Sequence, residues 1–153
     1  MDSAILRVNQ TTNLMSAFAA IGEAVWWITV VDKTFEKTTE YGNAILAGQH
    51  PSQVLAGLRS ICNRMAHDVD LVDFAGLEAV RPDPGDGRIA AWVWQRVSPP
   101  VTKSSREYRN YEEYCTALGA RTVVEAFTVA SGALRHVRSL YERAHGGQAP
   151  LVS

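Results

Sequence analysis

His50-Pro-Ser-Gln-Val-Leu-Ala-Gly-Leu-Arg-Ser-Ile-Cys-Asn-Arg-Met-Ala-His67, followed at once by Asp68-Val-Asp-Leu-Val-Asp73, has the pattern of a two-sided helix. Pro51 suits a first helical turn, where its missing N–H would have no helical partner. At about 100° per residue, Val54, Leu58, Ile61, Cys62 and Met65 fall on one face, while Arg59, Asn63, Arg64 and His67 fall on the other. Asn63 stands one turn before His67 and Arg64 three residues before it. One helix thus carries an apolar stripe for a core and a polar cluster suited to holding a phosphate or moving a proton.

Working outward, the same periodicity recurs on both sides. Upstream, Leu14, Phe18, Ile21, Val25, Ile28 and Phe35 follow one another at spacings of 4, 3, 4, 3 and 7, which predicts an amphipathic helix running to about Lys37. Thr11, Thr12 and Asn13 offer its N-cap. Gly22 interrupts the pattern and suggests a close helix approach, and Trp26 and Trp27 are expected to cover both core and flank. A weaker helical start occupies residues 3–10, with Ile5, Leu6 and Val8 as its apolar positions. A brief helix spans residues 39–47 and is closed by Gly48. Downstream, Tyr108, Tyr111, Cys115 and Leu118 lead into Val123, Phe127, Ala130, Leu134, Val137, Tyr141 and Ala144, a long last helix that Gly119 kinks or divides and Gly146-Gly147 stops.

The pattern changes between residues 77 and 105. Arg81-Pro-Asp-Pro-Gly-Asp-Gly87 is dense turn chemistry. Ile89-Ala-Ala-Trp-Val-Trp-Gln-Arg-Val97 reads as a strand with Trp92 and Trp94 on one face. Residues 77–80 are placed to pair with it as a hairpin, and a linker with Pro99 and Pro100 follows. A lone two-stranded ribbon is marginal in water, so the tryptophans are expected to pack it onto the bundle rather than to stack bases. Residues 68–74 read as an ordered connection. The expected architecture is a single mainly all-α domain over residues 1–153: a bundle of three long helices and a short one, with a small β-hairpin insertion around residues 77–97.

Fifteen Lys+Arg against sixteen Asp+Glu leave a net charge of −1, so any nucleic-acid site must be a local patch. The two cysteines, Cys62 and Cys115, read as small buried hydrophobes of a reducing compartment rather than a disulfide scaffold. The N-terminus lacks the basic start and apolar run of a signal peptide. The apolar passage from Ala24 to Val31 falls short of the roughly 20 residues a bilayer span needs. A cytoplasmic protein without a membrane partner is therefore expected. Asp68, Asp70 and Asp73 lack the glycine and terminal glutamate of a calcium loop, and no Cys/His pairs have zinc spacing, so no metal and no cofactor is expected.

Leu58-Arg-Ser-Ile-Cys-Asn-Arg-Met-Ala-His67-Asp resembles the third-helix signature of the HEPN superfamily, helical and often dimeric domains that bind or cleave RNA. That signature places an arginine, commonly followed by asparagine, five residues before a histidine. Asn63 and His67 match it, and Ile61, Arg64, Met65 and Ala66 fit the flanking pattern. Gly22-Glu23-Ala24-Val25-Trp26-Trp27 is similar to the preceding helix of such proteins. The resemblance spans about residues 12–70, and Cys62 stands where the motif arginine belongs. It implies a homodimer whose His67 face lines a cleft for RNA or nucleotide phosphate. In a metal-independent ribonuclease, His67 would be the general acid–base and Asn63 would fix the geometry. Arg59 or Arg64 would hold the phosphate in place of the missing arginine, and Glu23 and Asp68 would complete the binding face. A thiol has no cationic fork with which to hold a phosphate. The alternative reading is accordingly a non-catalytic dimeric interaction module that binds a protein partner and keeps a decayed site.

Overall fold

The computed structural model describes residues 2–10, 13–46, 48–68, 75–80, 89–95, 106–119 and 121–147; at His67, Asp68 and the β1 positions it describes the backbone alone. Among them the order is α1 (Asp2–Gln10), α2 (Leu14–Phe35), α3 (Thr39–Tyr41) running into a π-helical turn (Gly42–Leu46), α4 (Gln49–Asp68), β1 (Ala75–Val80), β2 (Ile89–Trp94), α5 (Arg106–Ala117) and α6 (Val123–Ala144). This is the expected mainly all-α bundle with a small β element. The three long helices are α2, α4 and α6, of 22, 20 and 22 residues. The turn at residues 81–88, the connection at 69–74 and the linker beyond Gln95 lie outside the described residues.

Local chemistry sets the helix ends. Asn13 Oδ1 accepts the Ser16 N–H at 3.0 Å and caps α2. Thr122 and Glu125 form a reciprocal capping box at the start of α6, at 3.2 and 3.0 Å. α6 ends where Gly146 and Gly147 take φ of 62° and 83°, and the Gly147 N–H bonds the Glu142 carbonyl at 2.9 Å. That left-handed exit is the conformation glycine adopts without steric cost.

α2 is the central element, touching α1, α4 and α6. Phe18, Ile21, Val25, Ile28 and Phe35 are all buried, as their spacing requires. They meet Val54, Leu58 and Ile61 of α4 and Val123, Phe127, Ala130, Leu134 and Val137 of α6 in one core. By length and composition α2 does reach what a bilayer crossing needs, with a mean hydropathy of 1.7 over its most apolar window. The shorter apolar passage read from the sequence therefore understates it. Its inward side is nonetheless the core of the bundle.

Two expectations about individual residues are corrected. Trp26 and Trp27 do not reach the core; both stand exposed on the outer side of α2. Cys115 is exposed and Cys62 is only half-buried, and both are free thiols. Their positions on the rims of α4 and α5, rather than at helix centres, account for this. A close helix approach is found at Gly57 of α4, where an added Cβ would stand 3.0 Å from the Tyr114 Cα and 2.9 Å from Leu118 Cδ1 of the facing segment.

The two strands pair antiparallel with Leu77 opposite Trp92. Trp92 packs against Phe18 with ring centroids 5.8 Å apart, and Trp94 meets Phe127 edge-on at 5.9 Å. Both tryptophans are buried, so the ribbon does pack on the bundle through them. Its other edge is covered by the chain entering α6: the Trp94 N–H bonds the Arg121 carbonyl at 3.0 Å, and Val93 pairs with Thr122. This pairing also explains why the last helical stretch is divided. The backbone at residues 121–122 bonds a strand and cannot continue an α-helical ladder.

Candidate functional site

α4 distributes its polar residues differently from the face drawn by periodicity alone. Arg59 turns inward and is locked. Its Nε lies 2.6 Å from Asp32 Oδ2, and its Nη2 donates to the Tyr41 hydroxyl at 2.8 Å. The Tyr41 hydroxyl in turn donates to Asp32 Oδ1 at 2.5 Å. A closed ring of three groups thus ties α2, α3 and α4 together. The Asp32 side chain is 1% exposed and that of Arg59 19%. Burial, reinforced by the Asp32 charge and hydrogen bond, pushes the Tyr41 hydroxyl well above its ordinary range. Burial pulls the Arg59 guanidinium down, but the hydrogen bond to Asp32 and its charge outweigh this and raise it. Neither Asp32 nor Tyr41 was read as functional from the sequence. The signal was there: the seven-residue gap between Ile28 and Phe35 places Asp32 on the buried side of α2.

The other candidates separate. Asn63 is exposed. Arg64 is half-buried on the side of α4 that meets α5, and its charge acts on Tyr111 and Tyr114 there. His67 and Asp68 occupy the last turn of α4, one turn beyond Asn63 and Arg64; their side chains lie outside the described residues. Glu23 does not join the α4 cluster. It pairs with Arg7 of α1 and lies nine residues from Asp32, hence about 180° around α2 from the side that carries Arg59. Geometry therefore keeps Asn63 and Arg64 beside the His67 turn and takes Arg59 and Glu23 away from it.

α5 adds residues that periodicity had assigned to a core stripe. Tyr108 and Tyr111 are half-buried, with ring centroids 5.9 Å apart. The Tyr111 hydroxyl is raised chiefly by its hydrogen bond to Cys115. Tyr114 is buried, which raises its hydroxyl, and it donates to the Gln95 carbonyl at the end of the ribbon. A face with Asn63, Arg64 and Tyr111 can hold an anion and offer a ring edge to a flat group.

A shallow cleft lies elsewhere, lined by His50, Arg121 and Glu125 among others. It sits at the opposite end of α4, roughly 20 Å along the axis from Asn63. Among the described residues no three His, Cys, Asp or Glu side chains converge as a metal site. The chain matches no protein-family model, no curated protein and no solved structure.

Proposed function

We propose that the chain is an HEPN-like domain that binds RNA or nucleotide phosphate on the α4 face formed by Asn63, Arg64 and His67. The observation that carries this reading is the placement of Asn63 in solvent and Arg64 beside it against α5, one turn ahead of His67. The domain works as a cytoplasmic homodimer. Arg64, not Arg59, takes the phosphate, because Arg64 lies one turn before His67 whereas Arg59 is turned inward to Asp32 and Tyr41. Where RNA is cleaved, His67 acts as general acid–base at the 2′-hydroxyl and the leaving oxygen, without a metal. Asn63 fixes the phosphate geometry, and Asp68 borders the face.

A second reading has a specific observation in its favour. Cys62 replaces the motif arginine, and Arg59, three residues before it, is turned into the fold. That arrangement suits a non-catalytic dimeric module that binds a protein partner. Cleavage of a broad RNA set in EDTA separates the two, with His67→Ala and Arg64→Ala proteins alongside. Loss of cleavage in both variants supports the nuclease. RNA binding that weakens in Arg64→Ala, without cleavage by any protein, supports a binding domain. Neither binding nor cleavage by the unaltered protein leaves the interaction module.

A further inference from the structure

The large hydrophobic side chains that stand exposed among the described residues are gathered on two elements, Leu6 on α1 and Leu14, Met15, Trp26, Trp27 and Val30 on α2. Trp26 is 58% exposed and Trp27 45%. At 100° per residue, Met15, Ala19, Trp26 and Val30 fall within about 60° of arc, with Trp27 on the flank. The core residues Ile21, Ala24, Ile28 and Phe35 occupy the opposite side. Single exposed apolar residues are ordinary, whereas a row of them on one helix marks a surface that meets something.

We infer that this face of α2 rests on an anionic lipid surface, with the helix axis in the plane of the membrane. The inference goes beyond the phosphate-binding reading and uses none of Asn63, Arg64 or His67. Charge identifies the partner. Two of the chain's three lysines, Lys33 and Lys37, are exposed at the C-terminal end of the row. Lys33 falls on the line of Met15 and Trp26, and Lys37 follows in the turn after the helix. Neither lysine has an ion-pair partner among the described residues. The neighbouring carboxylates are engaged elsewhere: Glu23 pairs with Arg7, and Asp32 pairs with Arg59. Glu36 lies toward the Asp32 side, where its charge acts on Arg59 and Tyr41. The apolar row therefore ends in unmatched positive charge.

That combination suits lipid. Lysines near anionic headgroups are drawn to them, and their stems lie along apolar surface while the ammonium stays in water. Tryptophan settles at headgroup level, and an apolar row with tryptophan and a basic border is the make-up of a helix lying in the interface. A second copy of α2 finds no register that serves both features. The antiparallel register that covers Met15 to Val30 brings the two Glu23 together, and the one that sets Glu23 opposite Lys33 leaves Met15 and Ala19 uncovered. A lipid surface imposes no register. The inward side of α2 is the bundle core, so only its outer side is free for lipid, although the helix is long and apolar enough to span. The short Ala24 to Val31 passage, from which no membrane partner was expected, bears on spanning and not on lying at the surface.

The test is cosedimentation of the full chain with two kinds of vesicle, phosphatidylcholine alone and phosphatidylcholine with phosphatidylserine in equal parts, followed by tryptophan emission. Trp92 and Trp94 are buried, so a blue shift on binding reports Trp26 and Trp27. The unaltered chain should bind the mixed vesicles with a blue shift and the neutral ones more weakly. Trp26→Ala should lower affinity for the mixed vesicles about tenfold, the effect of losing one large apolar side chain. Lys33→Ala should lower it about fivefold, the share of one basic residue near an anionic surface. Thermal melting identifies any variant that fails to fold, and Val30→Ser then takes the place of Trp26→Ala. No binding to mixed vesicles overturns the inference, as does binding indifferent to both Trp26→Ala and Val30→Ser. Weakening by Arg64→Ala in their place overturns it by giving the lipid phosphate to the α4 face. Self-association without lipid, seen by light scattering and abolished in Trp26→Ala, overturns it by giving the row to a second copy.

Discussion

The Asp32 carboxylate on α2 and the Arg59 guanidinium on α4 meet at 2.6 Å, 27 residues apart in sequence, with the Tyr41 hydroxyl bonded to both. The contact fixes how α4 lies on α2. It also holds Arg59 inward, away from the Asn63 side of α4.

Breaking that ring from one side should be costly. Asp32→Ala leaves the partly buried Arg59 charge and the buried Tyr41 hydroxyl without their carboxylate acceptor, and removing one partner of such a pair costs about 3–5 kcal/mol. Arg59 retains some solvent access, so the lower end is expected. Urea unfolding checks this; a loss under about 1 kcal/mol would show that the ring is a surface pair in effect.

Alkaline pH should weaken the same region. Tyr41 and Tyr114 are both raised above 10.0, mainly by burial, so the folded state keeps their protons after the unfolded chain has lost them. Their contribution is fully present below the unfolded value and is lost as pH rises past it. Stability should be level in this respect up to about pH 10 and fall above it. Tyr41→Phe should flatten part of the fall in a pH series of unfolding midpoints.

The same substitution should act in opposite directions at two helical glycines. Gly57→Ala would drive a Cβ to 3.0 Å from the Tyr114 backbone, and overpacking of this kind costs about 1–3 kcal/mol. Gly132→Ala, in α6, meets nothing within 4 Å and should gain up to about 1 kcal/mol of helix propensity. Equal melting temperatures for the two variants would contradict the close α4–α5 approach.

Arg59 and Arg64 should separate stability from binding. Arg59→Ala is expected to lower the unfolding midpoint clearly. Arg64→Ala should lower it by less, because Arg59 alone of the two holds the buried Asp32 carboxylate. In fluorescence anisotropy with a labelled RNA, Arg64→Ala should lower affinity about tenfold, the loss of one charge-assisted phosphate contact. The reverse pattern would move the phosphate to Arg59.

Much of the fold was legible from spacing alone. The runs from Leu14, Val54 and Val123 became α2, α4 and α6 because 3.6-residue periodicity and core burial are one physical fact. Asn13 and Gly146-Gly147 marked helix ends because orphan backbone groups demand those residue types. Trp92 and Trp94 announced a ribbon that needed a surface to lie on. What periodicity could not assign was the direction of residues at the borders of a stripe. Arg59 lies on such a border, and a guanidinium there turns inward only if a buried acid waits for it. That acid, Asp32, belongs to another helix. Trp26 and Trp27 were equally ambiguous, since an aromatic in an apolar helix reads the same whether it faces a core or a second molecule. Composition and periodicity determine which elements form; the packing of α2, α3 and α4 alone decided which charges meet, because electrostatic pairing depends on distances that only the assembled chain contains.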